Sequence, residues 1–96
     1  MAFFNRGSSE LPAASTNSTF DSTGQDRFIV AHVATVQSNS ISFWKVGPTN
    51  VRLASAVAMS SNDTRDFGPY FFGSSEIFVG GGATSSGGLI LDGRYV

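Results

Sequence analysis

The most constraining feature of this sequence is its punctuation. From about residue 26 onward, short runs rich in Val, Ile, Leu and Phe alternate with clusters of Gly, Ser, Asn, Asp and Pro. The runs are Arg27 to Gln37, Ile41 to Val46, Val51 to Met59, Arg65 to Phe72, Glu76 to Val79 and Leu89 to Val96. The breaks are Ser38 to Ser40, Gly47 to Asn50, Ser60 to Asp63, Gly73 to Ser75 and a Gly/Ser loop from Gly80 to Gly88. Turn signals recurring roughly every 8–12 residues between β-type runs predict an all-β sandwich or barrel. The fold expected is a single small antiparallel β-sandwich over residues 25–96, jelly-roll-like or Greek-key-like, because short strands with similar turns admit several such arrangements. Val51 to Met59 also reads as a short helix on its alanines and methionine, but its neighbours favour a strand.

Alternation along these runs assigns faces. In Val51 to Met59, Val51, Leu53, Ser55, Val57 and Met59 share one side, while Arg52 and the alanines share the other, as a half-buried strand requires. The run from Arg27 has no wet side. Phe28, Val30, Ala34 and Val36 lie on one face, and Ile29, Ala31 and Val33 on the other. Either this strand is central and covered by another part of the chain, or its second face is buried against another subunit. Self-association is the more economical reading, and it assigns Ile29, Ala31 and Val33 to a homo-oligomer contact.

Residues 1–24 differ. They are rich in Ser, Thr, Asn and Ala, contain Pro12, and hold only Phe3, Phe4, Leu11 and Phe20 as large apolar groups. Neither strand nor helix periodicity is present. This segment reads as an extended N-terminal arm whose Phe3, Phe4, Leu11 and Phe20 bind a neighbouring subunit.

Composition removes several function classes. The chain has 6 Lys+Arg against 7 Asp+Glu, and only 14% of its residues are charged. Six scattered cations make no basic stripe, so nucleic acid is not an expected partner. Without cysteine there is no disulfide framework, thiolate metal site or Cys nucleophile. No run approaches the ~18 apolar residues of a membrane span. No cationic segment followed by an apolar one suggests secretion, so synthesis in the cytoplasm is expected.

No catalytic constellation is legible. The single histidine, His32, sits inside an apolar run, and nothing adjacent in sequence supplies the partner that a functional imidazole needs. Zinc would need three carboxylates beside it. The acids stand at turns or strand edges, where carboxylates bond local amides. Asn62 to Asp66 lacks the spacing of a calcium loop. The glycines at 80–82 and 87–88 lack the Lys of a phosphate loop, and more plausibly let the chain turn or pass close to another backbone. The aromatics Phe67, Tyr70, Phe71, Phe72, Trp44 and Phe78 read as core or interface, with a sugar-stacking platform around Trp44 or Tyr70 as the alternative. No cofactor or metal is expected, and no enzyme.

Four stretches, Phe28 to Val33, Leu53 to Val57, Gly73 to Glu76 and Leu89 to Gly93, carry a resemblance. With the order of strands and turns between them, the chain from Arg27 to Val96 resembles small β-sandwich virion proteins of tailed bacteriophages. The arm and the Gly80 to Gly88 loop depart from that pattern. The resemblance implies a structural role on the capsid or tail, without cofactor. A decoration or cement protein bound to the major capsid protein as a homo-oligomer, with a trimer favoured, fits it best. A carbohydrate- or receptor-binding module of a head fibre or tail, or a head–tail connector component, are the alternatives.

Overall fold

The computed structural model describes residues 3–8, 19–21, 24–84 and 86–96, with the backbone alone for 6–8 and 19–21. Among these residues there are eight strands and no helix: β1 (Phe3–Ser8), β2 (Thr19–Asp21), β3 (Arg27–Ala34), β4 (Asn39–Val46), β5 (Val51–Met59), β6 (Thr64–Phe72), β7 (Ile77–Gly82) and β8 (Gly88–Tyr95). They form two four-stranded antiparallel sheets, with order β1-β8-β3-β6 in the front sheet and β2-β7-β4-β5 in the back sheet.

The pairing is nested. β4 pairs with β5, β3 with β6, β2 with β7 and β1 with β8, always antiparallel. The chain is thus one long hairpin whose tip is the Gly47 to Asn50 turn. Two further pairings, β3 with β8 and β4 with β7, curl that ribbon into the two sheets. This is the jelly-roll order, which removes most open strand edges by wrapping the ribbon on itself.

The core lies between the sheets. Ile29, Ala31 and Val33 of β3 point into it beside Leu89 and Leu91 of β8, and meet Ile41 and Phe43 of β4 and Phe78 of β7. The rings of Phe43 and Phe67 join the two sheets edge-on at 5.3 Å, and Phe43 packs on Phe78 at 4.9 Å. Aligned sheets hold such interdigitating side chains in a layer about 10 Å thick.

Four expectations are corrected here. Ile29, Ala31 and Val33, expected at a homo-oligomer contact, are 0%, 0% and 2% exposed within the chain's own core. The physical reason is their register with β8. Val33 lies opposite Leu89 and Ala31 opposite Leu91, so the other face of β3 joins the outward Ile90, Asp92 and Arg94. The parity of His32 with Phe28 and Val30 marks that outward face in the sequence.

Second, β5 does not alternate throughout. Ile41 pairs with Val57, Phe43 with Ala54 and Trp44 with Arg52, so β5 gains one extra residue at each of two register shifts and switches face. Ala56 absorbs the first of these at φ 48°, its amide donating to Ser42 Oγ at 2.9 Å. Ala54 and Met59 are consequently buried, and Val51 is exposed.

Third, residues 80–82 are buried strand rather than loop. A Cβ on Gly80 would stand 2.2 Å from the Ser42 carbonyl oxygen, so glycine permits the close approach of β7 to β4.

Fourth, the segment read as an arm without strand periodicity supplies β1 and β2, one edge strand of each sheet.

Candidate functional site

Outside the core, the outer face of the front sheet carries the exposed large apolar side chains Phe3, Phe71 and Ile90. In-register pairing lays its side chains out in rows across the strands. The first row is Phe3, Arg94, Phe28 and Phe71, each directly opposite the next. Phe28 and Phe71 meet edge-on at 5.3 Å, and the Arg94 guanidinium lies 5.3 Å from the Phe28 ring centroid. Such a cation over an aromatic face is worth about 0.5–1 kcal/mol at exposed sites. Phe3 is 72% exposed, Phe71 44% and Ile90 44%.

Between Phe3, Phe28, Val30, Pro69, Asp92 and Arg94 the face is hollowed into an open groove of about 400 Å³. Its floor is backbone at Gly93. Phe4, the neighbour of Phe3, turns to the opposite side. It packs partly against the core, its ring centroid 5.0 Å from that of Tyr95. A Cβ on Gly93 would stand 1.9 Å from the Phe4 ring, so the glycine is the seat of that ring.

Further along the same face is a polar row that sequence reasoning missed. His32 Nδ1 lies 2.6 Å from Asp66 Oδ1, and Nε2 lies 2.7 Å from Asp92 Oδ2. Asn5 donates to the other oxygen of Asp92. The hydrogen bond to Asp66, supported by Asp92, outweighs burial and raises the histidine above its ordinary value. The Asn5 hydrogen bond, with help from His32, lowers Asp92 below the usual carboxylate range. The expectation that every acid serves its local backbone therefore fails at these two positions. It holds at Asp63 and Glu76, which accept from the amides of Thr64 and Gly73, whereas Asp26 accepts from the amide of Ser74, 48 residues away. The partners of His32 lie 34 and 60 residues away in sequence, which is why adjacency showed none. The two ring nitrogens point at different strands, and among the described residues no group of three His, Asp or Glu could hold a metal ion.

Arg27 also escaped notice. It is fully buried, donating to the carbonyl oxygens of Gln25, Gly73 and Glu76 at 2.7–3.0 Å, and its guanidinium lies 5.3 Å from the Phe72 ring centroid. It fastens the β6–β7 turn to the start of β3. This is structural chemistry, and it places no charge on the outer face.

The remaining expected residues fall as follows. Leu11 and the side chain of Phe20 lie outside the described residues. Trp44 is half-buried on the back sheet under the Arg52 guanidinium, 4.9 Å from its ring. Tyr70 packs against the core from β6, and burial raises its phenol. Trp44 and Tyr70 belong to different sheets and make no common platform. Phe67, Phe72 and Phe78 are core.

No family model matches the chain, and no curated protein matches it. Among solved structures, the chain is similar to the coat protein dimer of Tobacco streak virus at 15% identity and a TM-score of 0.32. That match covers 99% of this chain and 85% of the other.

Proposed function

We propose that the protein is a structural component of a virus particle, acting by protein–protein contact and not by catalysis. The observation that carries this reading is the outer face of the front sheet. Phe3, Phe71 and Ile90 are exposed there beside half-buried Phe28 and Val30, although the chain's own core is already complete. An exposed apolar patch bordered by polar groups, here Phe3, Phe28, Phe71 and Val30 beside the polar row, is the mark of a protein interaction site. The jelly-roll order supports the reading, since capsid domains use it, but lectin domains use it as well. The finer reading is a decoration or cement protein of a tailed bacteriophage. It would bind the major capsid protein shell as a homo-oligomer, a trimer suiting quasi-threefold sites, and reside on the virion surface. Phe3 would then be an anchoring side chain for a neighbour, while Phe4 serves the chain's own fold.

The test is quantitative mass spectrometry of density-purified particles from the source virus. The proposal expects this chain in many copies per particle, removed from the shell by Phe3→Asp combined with Phe71→Asp. Particles that lack the chain overturn it. Specific glycan binding by the isolated protein, lost in Trp44→Ala, would favour the receptor-binding alternative instead.

A further inference from the structure

The polar row has a role that contact with a shell does not require. Asn5, Asp92, His32 and Asp66 come from β1, β8, β3 and β6, the four strands of the front sheet in spatial order. They touch in one continuous chain from edge to edge. A neutral imidazole carries one N–H, so it can donate to one carboxylate and must turn a lone pair toward the other. Only the imidazolium donates at both nitrogens, as this geometry demands.

The charged groups on the elements packed around His32 are few. On β6 they are Asp66 and Arg65; on β8, Asp92 and Arg94; on β3 itself, Arg27. The two carboxylates touch the imidazole. The three arginines are engaged at the rings of Phe67, Phe28 and Phe72, at 5.8, 5.3 and 5.3 Å. On β1 the contact is through the uncharged Asn5.

We propose that His32 is a pH-operated catch for the N-terminal strand: protonated, it holds Asp92 where Asp92 receives Asn5, and deprotonated, it releases that hold and β1 detaches more readily. β1 is the strand on which such a catch can act. Among the described strands it is an edge strand hydrogen-bonded to β8 alone, so loss of one side-chain tie is not compensated by a second strand of the sheet. Edge segments of this kind open locally without global unfolding.

The direction follows from the shifts. Because His32 is raised in the folded protein, its contribution is complete below the ordinary histidine value of about 6.5 and is lost as pH rises through the folded value. Asp92 is lowered, so its contribution is complete above the ordinary value near 3.8 and is lost as pH falls through the folded value. Between these limits the catch is closed.

Trypsin reads the strand directly, because Arg6 lies within β1 opposite Leu91 and must leave the sheet to be cut. Cleavage after Arg6 is measured against a free peptide of residues 1–12 in the same tube, which cancels the pH dependence of the protease. Between about pH 6 and pH 8.5, protection of β1 should fall at least about threefold in the unmodified protein and stay level in His32→Gln. As His32 is the only histidine, its titration is read by NMR without ambiguity. The midpoint of the protection curve must coincide with it. Asp66→Asn, which removes one carboxylate from the ring, should move both midpoints to lower pH together, and serves if His32→Gln does not fold. Protection that is level with pH, or a midpoint separate from that of His32, overturns the proposal.

Discussion

Two residues show how much single positions matter in this fold. Arg27 is an ionised side chain inside the molecule, made tolerable because its guanidinium meets the carbonyl oxygens of Gln25, Gly73 and Glu76. Replacement by Met keeps the volume but removes those three hydrogen bonds. Hydrogen bonds to charged groups are worth about 1.5–3 kcal/mol each, so Arg27→Met should cost about 3 kcal/mol or more in urea unfolding. Gly93 presents a different case. The atoms a new Cβ would meet are the far end of the Phe4 ring, which can swing away by giving up Tyr95. Gly93→Ala should therefore cost about 1–3 kcal/mol, the usual range for overpacking. Much of that cost should vanish in a Phe4→Ala background, a non-additivity that a double-mutant cycle measures.

At the scale of elements, the strands themselves were legible because turn residues and β-branched runs report local conformation. Val51 to Met59 is a strand at the bounds its sequence suggests. The choice of buried face showed in the sequence through the parity of His32 alone, since it depends on which strand lies alongside. β3 offers two apolar faces, and only its register with β8 assigns Ile29, Ala31 and Val33 to the core. The outer face was hidden for the same reason. Its rows assemble residues from four strands, with Asn5 and Asp92 87 positions apart. The bulge at Ala56 was invisible because alanine gives no sign of a positive φ. Glycines on β7 carried more information than composition suggests. Gly80→Ala would press a Cβ against backbone atoms of β4 at a φ of 141°, with no flexible side chain to yield. It should be far more damaging than Gly93→Ala, with soluble expression and the near-ultraviolet circular dichroism of the packed aromatics both lost.

At the scale of the whole molecule, the two faces of the front sheet divide the labour between core and surface. One face holds Ile29, Leu89 and Leu91 away from water, and the other presents Phe3, Phe28, Phe71 and Ile90 to it. Phe71→Asp tests this division. Phe71 contributes nothing to the core, so the thermal midpoint should change by no more than a few degrees. Any self-association seen by sedimentation velocity in the unmodified protein should weaken by at least about tenfold. A large loss of stability without a change in association would mean that the outer ring is part of the fold and not a contact surface. The same logic limits truncation. Removing residues 1–8 deletes β1, and with it the ring that covers Gly93 and Tyr95.

The nested pairing also sets a timetable for folding. Only the β4–β5 hairpin closes over a short turn, that of Gly47 to Asn50; every later pair must bring together segments further apart along the chain. Closure of each larger loop costs entropy before its contacts return anything, and topologies rich in distant pairings fold slowly. The ribbon is expected to zip from its tip, with substitutions in the β4–β5 hairpin slowing folding and substitutions at the Phe4–Gly93 seat mainly speeding unfolding. The terminal strands, joined last and released first, would thus be the hinge between a folded subunit and one still open to its neighbours.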